Sequence, residues 1–274
     1  MTEYLWLECR PDCYQTWYEQ GNKLRQENCY SEALACYDRA LTYSHDSYYV
    51  WYYRGRILES LNHIEEALFS LQTACQIKPH NYWAWYDQGF IWQKYYSEYQ
   101  RSIFCFNEAL QNNTQTEEYW AVYRLGKSYF KIKKYLLALD YFRQALQIRP
   151  EDYWSYYWQG ESQKRIRLYS HAEKSYLQAL KIKPNDYWVL YQLASLKQHL
   201  CLYQEAIYYY HQLQSLGFEF DPAIIYQIRS CYSILGIRET GVGSQDSKVE
   251  ELKLRFQTPQ KNRRPSSDRV EKEE

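Results

Sequence analysis

Gly21, Gly55 and Gly89 stand 34 residues apart, Gly126 follows after 37, Gly160 after 34, and Ala194 another 34 further on. A chain that repeats at such a period does not choose its fold locally. Each unit is one supersecondary element that buries its apolar face only against its neighbours. Other positions keep the same register. Twelve residues after each marker comes a small side chain: Ala33, Ala67, Ala138, Ala172 and Ala206. The third unit has Ser102 one place late, which puts a single inserted residue near 95–97. Four positions further stand Tyr37, Leu71, Phe106, Phe142, Tyr176 and Tyr210, then Ala40, Ala74, Ala109, Ala145 and Ala179, and finally Pro79, Pro150 and Pro184.

Each unit reads as two antiparallel helices, because helical patterns of about 14 residues flank a short break such as "NCYSEA" or "KKYLLA". Glycine in the first helix and alanine in the second let two backbones approach closely. The second alanine serves the contact with the next unit, and proline stops the second helix. Ser47, Asn81, Asp152 and Asp186 directly precede the tyrosine that opens the next unit, where their side chains can cap free N–H groups. Only 9 glycines and 7 prolines in 274 residues fit a chain that is mostly helix.

Trp, Gly four later, Ala twelve after that, an aromatic, a second Ala and a Pro: this order resembles the tetratricopeptide repeat (TPR) family over roughly residues 14–220. The resemblance implies an all-α fold, a right-handed superhelical solenoid of antiparallel helix pairs with about six repeats plus a C-terminal capping helix. The expected division is an N-terminal lead-in (1–13), an array (14–220) and a capping helix (221–237). The array divides into units 14–47, 48–81, 82–118, 119–152, 153–186 and 187–220. The capping helix rests on Asp221, on Pro222 at the first helical position, and on Ile224, Ile228, Cys231 and Leu235 along one face. Residues 238–274 change to mixed charge with few large apolar residues and read as a disordered tail, with one short apolar stripe at Val249, Leu252 and Phe256. The chain departs from the family pattern in having Gln20, Arg54, Gln88 and Gln159 before the glycine, and Ala194 and Leu213 in the sixth unit. Proline is missing from the first, third and sixth units.

The stretch "HNYWAWYDQG" at 80–89 carries more rings than one core face can use. Residues two apart on an α-helix lie about 200° apart, so Trp83 and Trp85 face different ways. Trp85, Gly89 and Trp92 share one stripe with the close-approach glycine and are expected to be core, as is Trp51 one unit earlier. Trp83, Tyr86, Phe90 and Gln93 form the other stripe. In the TPR family its equivalents, at the second, fifth, ninth and twelfth or thirteenth positions of a unit, line the concave groove where ligands lie. The fifth position is tyrosine in all six units: Tyr18, Tyr52, Tyr86, Tyr123, Tyr157 and Tyr191. The second is aromatic in five: Tyr49, Trp83, Trp120, Trp154 and Trp188. Such side chains combine large contact area with few rotatable bonds and suit a binding surface. The alternative is that one aromatic-rich unit was duplicated and its rings pack on one another.

The ninth, twelfth and thirteenth positions hold seven basic and two acidic residues, a balance of +5 on a chain whose net charge is zero. Lys127, Lys131, Lys164 and Arg165 are the expected contacts for an acidic partner. Asp46, Glu151, Asp152 and Asp186 at the rim partly offset them. The carboxylate clamp of chaperone-binding TPR domains needs Lys at the fifth position and Asn at the ninth; Asn22 is present, but Tyr18 and Arg56 break the pattern.

Neutral net charge argues against wholesale attraction to nucleic acid or membrane. No apolar run approaches a membrane span, and the start "MTEYLWLECRPDC" is unlike a signal peptide. Eight cysteines form no C-x-x-C pair, and Cys29, Cys36, Cys75 and Cys105 sit in helical patterns as small buried hydrophobes would. The six histidines show no metal-ligand spacing, and no nucleophile elbow or phosphate-binding loop is present. Neither a metal, a cofactor nor an enzyme active site is therefore expected, and the chain reads as cytoplasmic.

The leading expectation is a non-catalytic adaptor whose groove holds an extended segment or helix of a partner protein. Its Tyr/Trp-rich units are similar to those of TPR proteins from photosynthetic prokaryotes, some of which assist assembly of multiprotein complexes. Single-stranded nucleic acid, with bases on the rings, is the competing reading. Self-association, with the groove capturing another copy's tail, is a third.

Overall fold

The computed structural model of the chain describes residues 13–111, 118–218 and 222–236. Among them all regular structure is helical: α1 (Tyr14–Gln26), α2 (Tyr30–Tyr43), α3 (Tyr48–Ser60), α4 (Ile64–Ile77), α5 (Tyr82–Lys94), α6 (Tyr99–Gln111), α7 (Glu118–Lys131), α8 (Tyr135–Ile148), α9 (Tyr153–Arg165), α10 (Tyr169–Ile182), α11 (Tyr187–His199), α12 (Tyr203–Leu213) and α13 (Pro222–Ile234). A π-helical turn, Gln214–Phe218, follows α12. The helices come in consecutive antiparallel pairs, such as α1–α2, α3–α4, α5–α6, α9–α10 and α11–α12. They make two compact units, residues 1–141 and 142–274, divided within α8. The expected lead-in apart from Cys13, the Asp221 cap, and the tail with Val249, Leu252 and Phe256 lie outside the described residues.

The turn inside each pair follows one plan. Three residues separate the paired helices except at 95–98, where four do; this is the inserted residue. One residue in each turn takes a left-handed conformation: Asn28, Asn62, Ser97, Lys133, Arg167 and Cys201, with φ between 55° and 64°. This reversal lets the next N–H reach back to a carbonyl inside the first helix, as from Cys29 to Leu24 at 2.9 Å and from His63 to Leu58 at 2.8 Å. The orphan carbonyls of the helix end are thereby satisfied.

Glycine sets the distance between paired helices. A Cβ on Gly21 would stand 2.7 Å from the Tyr37 ring, and one on Gly160 only 2.6 Å from Tyr176. Gly55 and Gly89 meet Leu71 and Phe106 in the same way, at 2.8 and 2.9 Å. The marker alanines Ala33, Ala67, Ala172 and Ala206 are fully buried.

The expected tryptophan core stripe needs correction. Trp51, Trp85 and Trp92 are half-buried and pack against the core from its edge. The Trp51 and Trp85 indole N–H groups donate to the His45 and Pro79 carbonyls, each at 2.8 Å, fastening the helix to the turn before it. An indole with a polar edge is better placed at such a boundary than in a dry interior. The rings that fill the interior are the tyrosines opening each unit: Tyr48, Tyr82, Tyr119, Tyr153 and Tyr187 are buried. Their hydroxyls explain how. Tyr48 donates to Asn81 at 2.5 Å and Tyr153 to Asp186 at 2.7 Å, while Tyr14 shares a 2.5 Å hydrogen bond with Ser47. Each acceptor is the capping residue of the next unit. Asn81, Asp152 and Asp186 also accept from the backbone N–H groups of Trp83, Ser155 and Val189; Ser47 makes no such bond.

Cys36, Cys75 and Cys105 are buried, and burial pushes the Cys75 and Cys105 thiols up to about 12, far from reactivity. Cys29 is different from expectation: it lies half-buried in the turn before α2. In the second unit, α13 lays Ile224, Ile228 and Cys231 on Ala206, Ile207, Tyr210 and Leu213 of α12.

Candidate protein-interaction face

The expected groove residues lie on the first helices of the pairs: α1, α3, α5 and α7 in the first unit, α9 and α11 in the second. The ring positions obey one geometry throughout. In all six repeats the fifth-position tyrosine stacks on the opening tyrosine, with centroids 5.7–6.4 Å apart and planes within 19°. In five, the second-position ring stands edge-on to that tyrosine at 4.9–5.3 Å. Four fifth-position rings also meet the large ring of their second helix, as Tyr86 meets Phe106 at 5.6 Å. The rings therefore do pack on one another, each unit forming a small aromatic cluster.

That packing divides the predicted residues. Tyr52 and Tyr123 are buried, at 7% and 5% exposure, so the expectation that they present an open ring is corrected: stacking on Tyr48 and Tyr119 takes their faces. Tyr18, Tyr86, Tyr157 and Tyr191 are half-buried, as are Phe90, Trp120, Trp154 and Trp188. Tyr49 and Trp83 are 49% and 37% exposed. The most open rings are thus two of the second position, Tyr49 and Trp83.

Cations from the chain itself sit over these rings. Lys78 Nζ lies 4.7 Å from the Tyr49 centroid and Lys183 Nζ 5.7 Å from that of Trp154. Arg124 stands 4.7 Å over Phe90, and Arg25 4.4 Å over Tyr53 of the next pair.

The polar positions are mostly committed to neighbouring helices, which the sequence reading missed. Lys127 is buried, and Lys164 donates to Gln192 at 2.8 Å; burial holds its ammonium below the usual lysine range, against the pull of Glu161. These two are corrected from open anion contacts to structural ones, whereas Lys131 and Arg165 are exposed. Asn22 and Glu161, at the ninth position of their units, accept the hydroxyls of Tyr37 and Tyr176 at 2.8 and 2.6 Å. A signal for this exists in the sequence: where the second-helix residue has no hydroxyl, at Leu71, Phe106 and Phe142, the ninth position is Arg56, Phe90 and Lys127 instead. Between α3 and α5, Glu59 pairs with Lys94 at 3.2 Å and Arg56 Nε stands 3.7 Å from Asp87. Burial pushes the Asp87 carboxyl up to about 6, against the pull of Arg56 and the Tyr52 hydroxyl. Among the described residues no group of three or more His, Cys, Asp or Glu could hold a metal ion, and no helix is long and apolar enough to cross a membrane.

The helix pairs and their repeat agree with the comparisons with known proteins. Family models of the tetratricopeptide repeat match residues 20–84, 119–152 and 155–186. The chain is a tetratricopeptide repeat protein. Solved TPR-like structures share its fold at low identity. PilW, a widely conserved type IV pilus biogenesis factor, is 18% identical, with a TM-score of 0.64 over 79% of this chain and 97% of that one. PilF of Pseudomonas aeruginosa is 15% identical, with a TM-score of 0.64 over 81% and 97%. YrrB, described as a TPR protein with an unusual peptide-binding site, is 16% identical, with a TM-score of 0.60 over 71% and 96%. No curated protein matches this TPR chain in sequence.

Proposed function

We propose that this TPR protein is a non-catalytic adaptor that holds an extended segment or helix of a partner protein along its first-helix face. The observation that carries the reading is the second-position ring. Tyr49, Trp83, Trp120, Trp154 and Trp188 recur in one geometry, each braced edge-on by a buried tyrosine, and none is itself buried. A rigid, pre-placed aromatic edge loses little entropy on binding, which is how interface anchors reach high contributions. Lys78 and Lys183 over the rings, with Lys131 and Arg165 exposed, favour a segment carrying Asp or Glu near its apolar anchors. Nucleic acid fits less well, since the same lysines cover ring faces on which bases would stack. The descriptions of YrrB, with its peptide-binding site, and of PilW, a pilus biogenesis factor, support a peptide-binding or assembly role, and we propose an assembly factor working in the cytoplasm.

The test uses two tryptophans two residues apart. Peptides selected from a random display library for binding the full chain should be enriched in acidic and aromatic residues. Trp83→Ala should weaken them about 10- to 30-fold, as loss of an anchor worth 1.4–2 kcal/mol does, without changing the melting temperature. Trp85→Ala should instead lower stability by about 2 kcal/mol, less than a fully buried tryptophan because the ring is half-buried. Equal loss of stability in both variants with unchanged peptide affinity would overturn the adaptor reading for this face.

A further inference from the structure

Two equivalent hollows open on successive repeats of the first unit, and their charges are opposite. The first, about 370 Å³, is lined by residues that include Asp38, Arg54, Glu65, Glu66 and Phe69. The second, about 410 Å³, is lined by residues that include Gln72, Gln88, Gln100, Arg101 and Phe104. These are the same positions one repeat on: Gln72 stands for Asp38, Gln88 for Arg54, Gln100 for Glu65 and Arg101 for Glu66. Arg54 donates to Ser70 at 2.7 Å, and Cys105, the equivalent of Ser70, donates to Gln88 at 3.0 Å. The frame is kept while the sign changes. With His63 neutral, 3.1 Å from Glu66, three carboxylates outnumber Arg54 in the first lining, whereas Arg101 is the only charge of the second. Arg39, Glu98 and Glu108, next to these residues in sequence, line neither hollow.

Each hollow has an exposed phenylalanine at its edge, Phe69 on α4 at 59% and Phe104 on α6 at 57%. They stand edge-on to Trp51 and Trp85, both at 5.9 Å. The fold does not require a ring there, since the same place is Ala35, Asp140, Lys174 and Tyr208 in the other four repeats. Large exposed phenylalanines in repeated register beside hollows mark an interaction surface. A surface whose two halves share a shape and differ in sign is complementary to itself after a two-fold rotation. We infer that a second copy of this chain docks here, about a two-fold axis passing between α4 and α6. Arg101 of each copy then meets Asp38, Glu65 and Glu66 of the other, and Phe69 of each packs against Phe104 of the other. Symmetry makes every such contact twice. The surface holds none of the second- or fifth-position rings, so this pairing does not depend on the adaptor reading.

Sedimentation velocity of the full chain tests this. It should show a monomer–dimer equilibrium in the micromolar range, as a modest symmetric interface gives. Arg101→Glu makes both hollows acidic and should raise the dissociation constant by at least about tenfold; Glu65→Lys with Glu66→Lys makes both basic and should do the same. Mixed in equal amounts, the two variants should form a heterodimer, because each offers the sign that the other lacks. Phe69→Ser with Phe104→Ser should leave a monomer that melts with the parent chain, since both rings are exposed. A parent chain that stays monomeric up to about 100 µM would overturn the proposal. So would dimers indifferent to the charge changes, which would place the contact elsewhere, or charge variants that stay apart when mixed.

Discussion

Asp87 shows how a single side chain in a repeat departs from its neighbours. Its Oδ2 has no hydrogen-bond partner among the described residues, and Arg56 Nε stands too far away to supply one, at 3.7 Å. The folded chain therefore holds the Asp87 proton more tightly than the unfolded chain does, with a folded value of about 6 against an ordinary 3.8. The sign follows from proton counting. Between about pH 4 and 6 the folded state binds more protons, so stability falls as pH rises through this window, and the loss is complete above about 6. Asp87→Asn, which cannot ionise, should remove that fall. Its gain over the parent chain should grow from pH 4 to pH 7, by up to about 3 kcal/mol for a shift of this size. Denaturant unfolding at the two pH values measures the difference; a gain independent of pH would show that Asp87 is ionised in both states alike.

At the scale of the element, a repeat is held by a crossing and a bridge. The crossing brings a glycine of the first helix under a large side chain of the second, with no room for a methyl group. The bridge is the opening tyrosine reaching the cap of the next unit, so one hydroxyl orders two helix starts. Gly160→Ala should therefore be destabilising although alanine is the better helix former. The methyl group would meet the Tyr176 ring at 2.6 Å, and that ring is fixed at its far end by Glu161. Overpacking of this kind costs about 1–3 kcal/mol. Thermal unfolding should show the loss; an unchanged melting temperature would show that the Tyr176 ring can move aside.

At the scale of the molecule, repeats stabilise their neighbours and little beyond. The end of the array is the place to see this. The α13 helix covers Ile207, Tyr210 and Leu213 of α12 with Ile224, Ile228 and Cys231. Ile228→Asp puts a charge into that dry contact and should destabilise α11–α13 by at least 3 kcal/mol. Hydrogen exchange should then quicken by the corresponding factor in α12 and α13 while α3 and α4, in the other compact unit, keep their protection. Uniform acceleration along the chain would show that the whole array unfolds as one.

The sequence by itself determined the helix pairs, because period, glycine, alanine and proline act through backbone geometry that is the same wherever a unit stands. Its expected breaks, NCYSEA and KKYLLA, overlap the turns at 27–29 and 132–134 but run four residues into the following helices. The inserted residue expected near 95–97 falls in the turn 95–98, and the ring positions from which a binding face is drawn were named. Which rings open to solvent was decided only by tertiary structure. Tyr52 and Tyr49 are three residues apart and equally aromatic, yet one is buried on Tyr48 and the other stands half exposed. Likewise Lys127 and Lys131 lie one helical turn apart and only the second reaches solvent. Periodicity assigns a residue to a helix face, but burial depends on how far the adjacent helix leans over that face, and that distance is set by side chains from other repeats.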